Sequence, residues 1–181
     1  MIKVSVLLAD GFEEIEALTV VDLLRRAQIY VDTISIMEDY TVHGAHGINI
    51  QTEDLFEEVN FVESDMIVLP GGMPGTLNLQ KNKMVTDAIE YCVKNEKLVA
   101  AICAAPMILG DLGYLDGKDA VCFPGFEDSL TESNILSDGV VRDGNFITAK
   151  GAGKALEFGA AIVDYFSEPP KGERILQKMQ V

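Results

Sequence analysis

The sequence is short of positive charge, of histidine and of cysteine, and each shortage excludes something. Fourteen lysine and arginine side chains face 29 aspartates and glutamates, for a net charge of −15. Such a field repels phosphate backbones and anionic membrane surfaces, so neither nucleic acid nor lipid is an expected partner. No basic run stands out, and no apolar run approaches the roughly 20 residues of a membrane span. Met1 to Asp10 lacks the charged start, long apolar stretch and small-residue cleavage site of a signal peptide. Cys92, Cys103 and Cys122 are odd in number and form no CxxC pair. That speaks against a disulfide scaffold or zinc site and for a reducing, cytoplasmic compartment. No metal and no cofactor is expected: neither a GxxxxGK[ST] loop nor GxGxxG is present. The two histidines, His43 and His46, both lie far in sequence from every cysteine, so a Cys-His hydrolase lacks an obvious imidazole.

What is present is a chain of 181 residues, 48% of them hydrophobic. That suffices for one domain with a substantial core, and no repeat or linker divides residues 1–181. Apolar runs at Ile2–Leu8, Tyr30–Met37, Asp65–Leu69 and Leu98–Ile102 read as strands. They alternate with helical spacing over Glu13–Arg26, Asn82–Asn95 and Leu156–Phe166. Thr41–Gln51 reads as a hairpin-like connection and Ala120–Phe123 as a short strand. Val140–Thr148 reads as a hairpin with Asp143-Gly144 at its turn. The tail from Pro169 is at best a short polar helix. Strand–helix alternation predicts an α/β fold, a mainly parallel sheet with helices on both faces. Ligands then bind beyond the carboxyl ends of the strands.

Three strand exits carry the chemistry. Leu98-Val99-Ala100-Ala101-Ile102 ends at Cys103, followed by Ala104-Ala105-Pro106 and a helix start. A cysteine there faces the positive end of the next helix, which favours thiolate, the nucleophilic form. The plainer alternative is a buried cysteine acting as a small hydrophobe. The first exit, Asp10-Gly11-Phe12-Glu13-Glu14-Ile15-Glu16, packs three glutamates into its last four residues. Glu13 and Glu14 suit a helix N-terminus. Glu16 points partly inward, where a carboxyl must be paired or protonated. A protonated Glu16 beside a thiolate would serve redox sensing or proton transfer. The second exit, Pro70-Gly71-Gly72-Met73-Pro74-Gly75, offers backbone N–H groups for an oxyanion, or is simply a tight turn. Cys92 and Cys122 are assigned to packing.

These pieces, together with Lys150-Gly151-Ala152-Gly153 before Glu157-Phe158, fall in one order over nearly all of the sequence. In that order they resemble the ThiJ/PfpI superfamily, and within it the protein deglycase branch linked to Parkinson disease. The resemblance implies a flavodoxin-like three-layer sandwich and a homodimer. It implies Cys103 as an oxidation-sensitive nucleophile and Glu16 as its protonated partner, with Gly72, Ala104 and Gly71 at the anion pocket. It also implies activity on small aldehydes of the methylglyoxal type or on glycated proteins, or a redox-sensor and chaperone role. Two departures matter. Ala104 follows the nucleophile where the protease-like branch has histidine, so neither peptidase nor glutamine amidotransferase chemistry is expected. Phe123 stands where the deglycase branch has a histidine near the site. His46 aligns with a basic interface residue and is the candidate for a contribution from a partner subunit.

Overall fold

The computed structural model describes residues 2–181; Met1, part of the leader reading above, lies outside them. The chain opens with β1 (Lys3–Leu8) and α1 (Glu14–Arg26), then β2 (Tyr30–Ser35). A small hairpin, β3 (Thr41–His43) and β4 (Asn49–Gln51), precedes β5 (Asp54–Leu55) and β6 (Met66–Leu69). Helices α2 (Gly75–Lys81) and α3 (Lys83–Lys94) lead to β7 (Leu98–Ile102) and the short α4 (Pro106–Asp111). Two dipeptide strands, β8 (Asp119–Ala120) and β9 (Asn134–Ile135), lie before β10 (Val140–Asp143) and β11 (Phe146–Ala149). The chain closes with α5 (Ala155–Phe166) and α6 (Lys171–Lys178).

The main sheet has seven strands in the order β10-β11-β7-β6-β1-β2-β5. Every neighbour pair is parallel except β10 with β11. Strand periodicity sorts the apolar side chains into two layers, because successive residues face opposite sides. Val4, Val6, Leu8, Val68, Ala100 and Ile102 join the core beneath α1, α5 and α6. Leu7, Ile67, Leu69, Val99 and Ala101 join the core on the α3 and α4 side. The central strands are therefore apolar on both faces, and the architecture is the expected flavodoxin-like α/β sandwich. From β1 the chain builds outward through β2 and β5, then returns to the other side of β1 with β6, β7 and β11. The reversal between β1 and β6 is where such sheets open a crevice at their carboxyl ends.

Three sequence expectations need correction. The β10–β11 turn is Gly144-Asn145, not Asp143-Gly144, because Asp143 still pairs with Phe146. Gly144 supplies the positive φ, 59°, at the first loop position. In the segment expected as a strand over Ala120–Phe123, only Ala120 belongs to one. Beyond it the Val121 N–H donates to Thr148 Oγ1 at 3.0 Å and the Phe123 N–H to the Cys103 carbonyl at 2.7 Å. The tail helix α6 is docked more firmly than its polar sequence suggested: Ile175 is buried and Lys171 Nζ donates to the Ala27 carbonyl at 2.8 Å. No helix among the described residues is long and apolar enough to cross a membrane.

Phe158 of α5 is fully buried in the core beneath α1. Phe158→Ala is expected to cost about 3–5 kcal/mol, as a lowered urea midpoint with an unchanged slope. A loss below about 1 kcal/mol would mean that this helix is not a structural wall of the core.

Candidate functional site

The three exits meet. Glu16, in the first turn of α1, is fully buried. Its Oε2 accepts the Gly71 N–H at 2.8 Å, and its carboxyl hydrogen-bonds the Cys103 thiol. The backbone N–H groups of Gly72 and Ala104 also reach that sulfur. Glu16, Gly71, Gly72, Ala104 and Cys103, the residues named from the sequence and its family resemblance, are thus brought together at the carboxyl ends of β1, β6 and β7.

Local geometry explains the residue types. Cys103 sits in the left-handed region, φ 65°, a conformation that costs a non-glycine residue on the order of 1–3 kcal/mol. Neighbouring backbone holds it there. Its N–H donates to the Ala149 carbonyl at 2.9 Å, and its carbonyl accepts from Phe123. The strained turn lifts the side chain out of the strand and against Glu16. Gly71 must be glycine for space: a Cβ there would stand 2.6 Å from both the Cys103 Cβ and Glu16 Oε2.

Burial is the largest influence on Glu16 and lifts its carboxyl to about 7; the Cys103 and Gly71 hydrogen bonds oppose the rise. Glu16 Oε1 is sealed from solvent with no nitrogen or oxygen partner, a setting that favours the protonated acid. Burial, then the charge of an ionised Glu16 and its hydrogen bond, push the Cys103 thiol up to about 12; the Ala104 and Gly72 N–H groups pull it down. The sequence predicted a helix end that favours thiolate. With Glu16 ionised the structure reverses that balance, because burial and a neighbouring negative charge outweigh two N–H groups. A protonated Glu16 removes the charge and turns its hydrogen bond around, giving the thiolate a donor.

The other carboxylates of the first exit have separate tasks. Glu13 caps α1, its Oε2 accepting the Glu16 N–H at 2.8 Å. Glu14 is buried and holds the β3–β4 hairpin: Oε1 accepts the His46 N–H at 2.8 Å and Oε2 contacts His46 Nδ1 at 2.9 Å. His46 is thus tied to Glu14 of its own chain, and its ring stays largely exposed. Its charged form is favoured by the Glu14 hydrogen bond and charge. His43 takes part through its backbone, its carbonyl accepting the Gly11 N–H at 2.7 Å. Cys92 and Cys122 are buried, and burial pushes both thiols up to about 11, as packing residues require. Gly151 was not assigned to the site from sequence, yet a Cβ there would lie 4.0 Å from Cys103 Sγ. The strand pairing of β11 with β7 brings it there, and no local pattern announces that pairing.

The folded Glu16 carboxyl titrates near 7 against an ordinary 4.5. Its contribution to stability is fully present below 4.5 and lost as pH rises through 7, on the order of 3 kcal/mol. Relative to wild type, Glu16→Gln is expected to gain about that much between pH 4 and pH 8 in urea unfolding. A difference that does not vary with pH would overturn the raised carboxyl.

Comparison with known proteins gives the lineage. The model of the DJ-1/PfpI family matches residues 2–165. Protein DJ-1 homolog B of Arabidopsis thaliana is 33% identical over 171 residues, 94% of this chain but 39% of the relative. The chain thus spans about two-fifths of that relative's length. Deglycase PYRAB04690 of Pyrococcus abyssi is 31% identical, covering 83% of this chain and 91% of its own. Glutathione-independent glyoxalase DJR-1.2 of Caenorhabditis elegans is 31% identical over 92% of this chain and 89% of its own. Among solved structures, the DJ-1 superfamily protein STM1931 of Salmonella typhimurium superposes with TM-score 0.93 at 33% identity, over 99% of this chain and 97% of that one. Oxidized DJ-1 of Toxoplasma gondii gives TM-score 0.93 at 29% identity, over 99% and 98%. On these matches the chain belongs to the DJ-1/PfpI family.

Proposed function

We propose that this protein is a cofactor-independent enzyme that converts 2-oxoaldehydes of the methylglyoxal type into 2-hydroxy acids, and that early glycation adducts on proteins are a second substrate. The observation that carries this reading is the sealed Glu16 carboxyl bonded to Cys103 with two backbone N–H groups at the sulfur. In the first step Cys103 loses its S–H proton to solvent, the sulfur bonds to the aldehyde carbon as the carbonyl double bond opens, and the former carbonyl oxygen takes a proton from Glu16. Glu16, now ionised, removes the proton from that carbon. It returns that proton to the neighbouring carbon, and the hydroxyl proton on the first carbon passes to the former ketone oxygen, leaving a 2-hydroxyacyl thioester with Glu16 ionised. Water then adds to the thioester carbonyl and the C–S bond breaks; one proton of the water restores the Cys103 thiol, and the hydroxy acid leaves as its carboxylate, its acid proton restoring Glu16. The N–H groups of Gly72 and Ala104 stabilise negative charge as it develops. A carboxyl titrating near 7 suits both directions of this proton traffic at neutral pH. Two relatives carry the names deglycase and glyoxalase, in keeping with this chemistry.

A redox role is the second reading, favoured by the solved oxidized relative. Two peroxides would each deliver one oxygen to the Cys103 sulfur and leave as water, giving a sulfinate held by Glu16 and the same N–H groups.

The protein is further proposed to act as a homodimer. Ile15 and Leu18 are exposed one turn apart on α1. Exposed Ile48 joins them, its N–H directed at Glu14. A second copy covering this face would also approach His46, the candidate for a contribution across the interface.

Lactate production from methylglyoxal without glutathione is the test of the activity. Wild type is expected to turn over, and Cys103→Ser and Glu16→Gln to lose at least 100-fold in kcat. No wild-type turnover above buffer would remove this reading and leave the redox one, checked by the mass of Cys103 after mild peroxide. Ile15→Asp with Leu18→Asp is expected to shift sedimentation from dimer to monomer. An unchanged sedimentation coefficient would place the interface elsewhere, and a monomeric wild type would dismiss the dimer.

A further inference from the structure

Phe123 is 46% exposed although its backbone is fixed. Its N–H donates to the Cys103 carbonyl at 2.7 Å, and its own carbonyl accepts the Phe126 N–H at 3.2 Å. The Phe126 ring supports it edge-on, with centroids 6.5 Å apart. The open face of Phe123 borders a shallow hollow of about 430 Å³, lined also by Pro124, Gly151 and Ala152, with Lys150 and Lys154 at the rim. Lys154 is held by Glu157 at 2.9 Å. Gly151 joins the hollow to the nucleophile. A Cβ there would stand 3.1 Å from the Phe123 ring and 4.0 Å from Cys103 Sγ, so its absence leaves a passage between ring and sulfur.

We propose that this hollow is the subsite for the substituent beyond the ketone of the substrate, and that Phe123 is a specificity-determining residue for 2-oxoaldehydes with an aromatic or branched apolar substituent. The inference rests on the glyoxalase reading and deepens it. Three observations support it. A large apolar side chain held rigidly and half in water leaves unused burial energy, which an apolar ligand group recovers. Gly151 lines the hollow and also neighbours the sulfur, so a group bound there is within reach of the molecule the sulfur attacks. In such a molecule the substituent starts two carbons from the sulfur, and Gly151 provides the missing bulk at that position. Phe123 can donate and accept no proton; its part is contact.

The experiment compares phenylglyoxal with methylglyoxal by kcat/KM. Wild type is expected to favour phenylglyoxal about tenfold. In Phe123→Ala the preference collapses toward one. In Gly151→Ala it also falls, because the new methyl crowds the ring and fills the passage. The ratio between substrates is internal to each variant and is insensitive to loss of active protein. A wild-type ratio near or below one, or a ratio unchanged in Phe123→Ala, overturns the proposal. A second measurement is independent of turnover. Labelling of Cys103 by N-phenylmaleimide relative to N-methylmaleimide, each normalised to glutathione and read by mass spectrometry, is expected to exceed one severalfold in wild type and to approach one in Phe123→Ala. A normalised wild-type ratio of one overturns the hollow as an apolar subsite. Were no aldehyde turned over at all, the glyoxalase reading would fall, and the labelling ratio would still decide the hollow.

Discussion

The contact between the Glu16 carboxyl, the Gly71 N–H and the Cys103 thiol is the constraint on which the rest of the site depends. Each partner comes from a different strand exit, so the contact exists only if β1, β6 and β7 align in register at their carboxyl ends. It also governs the chemistry. An unpaired ionised carboxylate in this place would be costly, so Glu16 gives up acidity, and its pKa rises toward neutrality. A carboxyl that gains and loses a proton near pH 7 can work as acid and as base within one reaction cycle. The scaffold tolerates this because the layers beneath it are fully apolar: Val6, Leu8, Val68, Ala100 and Ile102 are all without solvent exposure.

The same contact explains why the acidic first exit is not a redundant cluster. Glu13, Glu14 and Glu16 occupy one helical turn and face three directions. Glu13 closes the end of α1, Glu14 pins the β3–β4 hairpin through His46 and Ile48, and Glu16 enters the site. The hairpin in turn covers the first exit, its His43 carbonyl accepting the Gly11 N–H and its Ala45 N–H donating to the Phe12 carbonyl at 2.8 Å. A loop of this kind is orderly only while its backbone groups have partners. The two neighbouring carboxylates therefore act on Glu16 through the backbone they hold.

How much of this was legible in the sequence follows from how local each feature is. The buried strands are continuous apolar runs, α1 and α3 have helical spacing, and the cysteine stands at the end of its run, so strand exits and candidate residues could be named without a structure. The inward direction of Glu16 was expected from its place between Ile15 and Ala17-Leu18, yet Ile15 and Leu18 face outward; Glu16 is buried because it shares its helix face with Ala17 and Val20. Register was not legible. The position of Gly151 by the sulfur follows from β11 lying parallel to β7, a pairing between segments nearly fifty residues apart. The turn of the last hairpin was misplaced by one residue because Asp-Gly and Gly-Asn both satisfy its chemistry. The state of the thiol was misjudged for a related reason. The helix end is local and visible, whereas the burial that overrides it is the sum of the whole fold.

The site's geometry serves aldehyde chemistry and oxidation equally, since both place negative charge on or next to the sulfur, between Glu16 and the N–H groups of Gly72 and Ala104. What separates them is the reagent that arrives. Peroxide is small and polar and gains nothing from an apolar wall. An aldehyde with a carbon substituent does gain from one. The half-exposed Phe123, its backbone fixed to the Cys103 carbonyl and its ring beside Gly151, which also neighbours the sulfur, would under the proposed subsite bear on the choice of function as well as on specificity. An oxidation sensor would be indifferent to that ring, whereas an enzyme for substituted oxoaldehydes would depend on it.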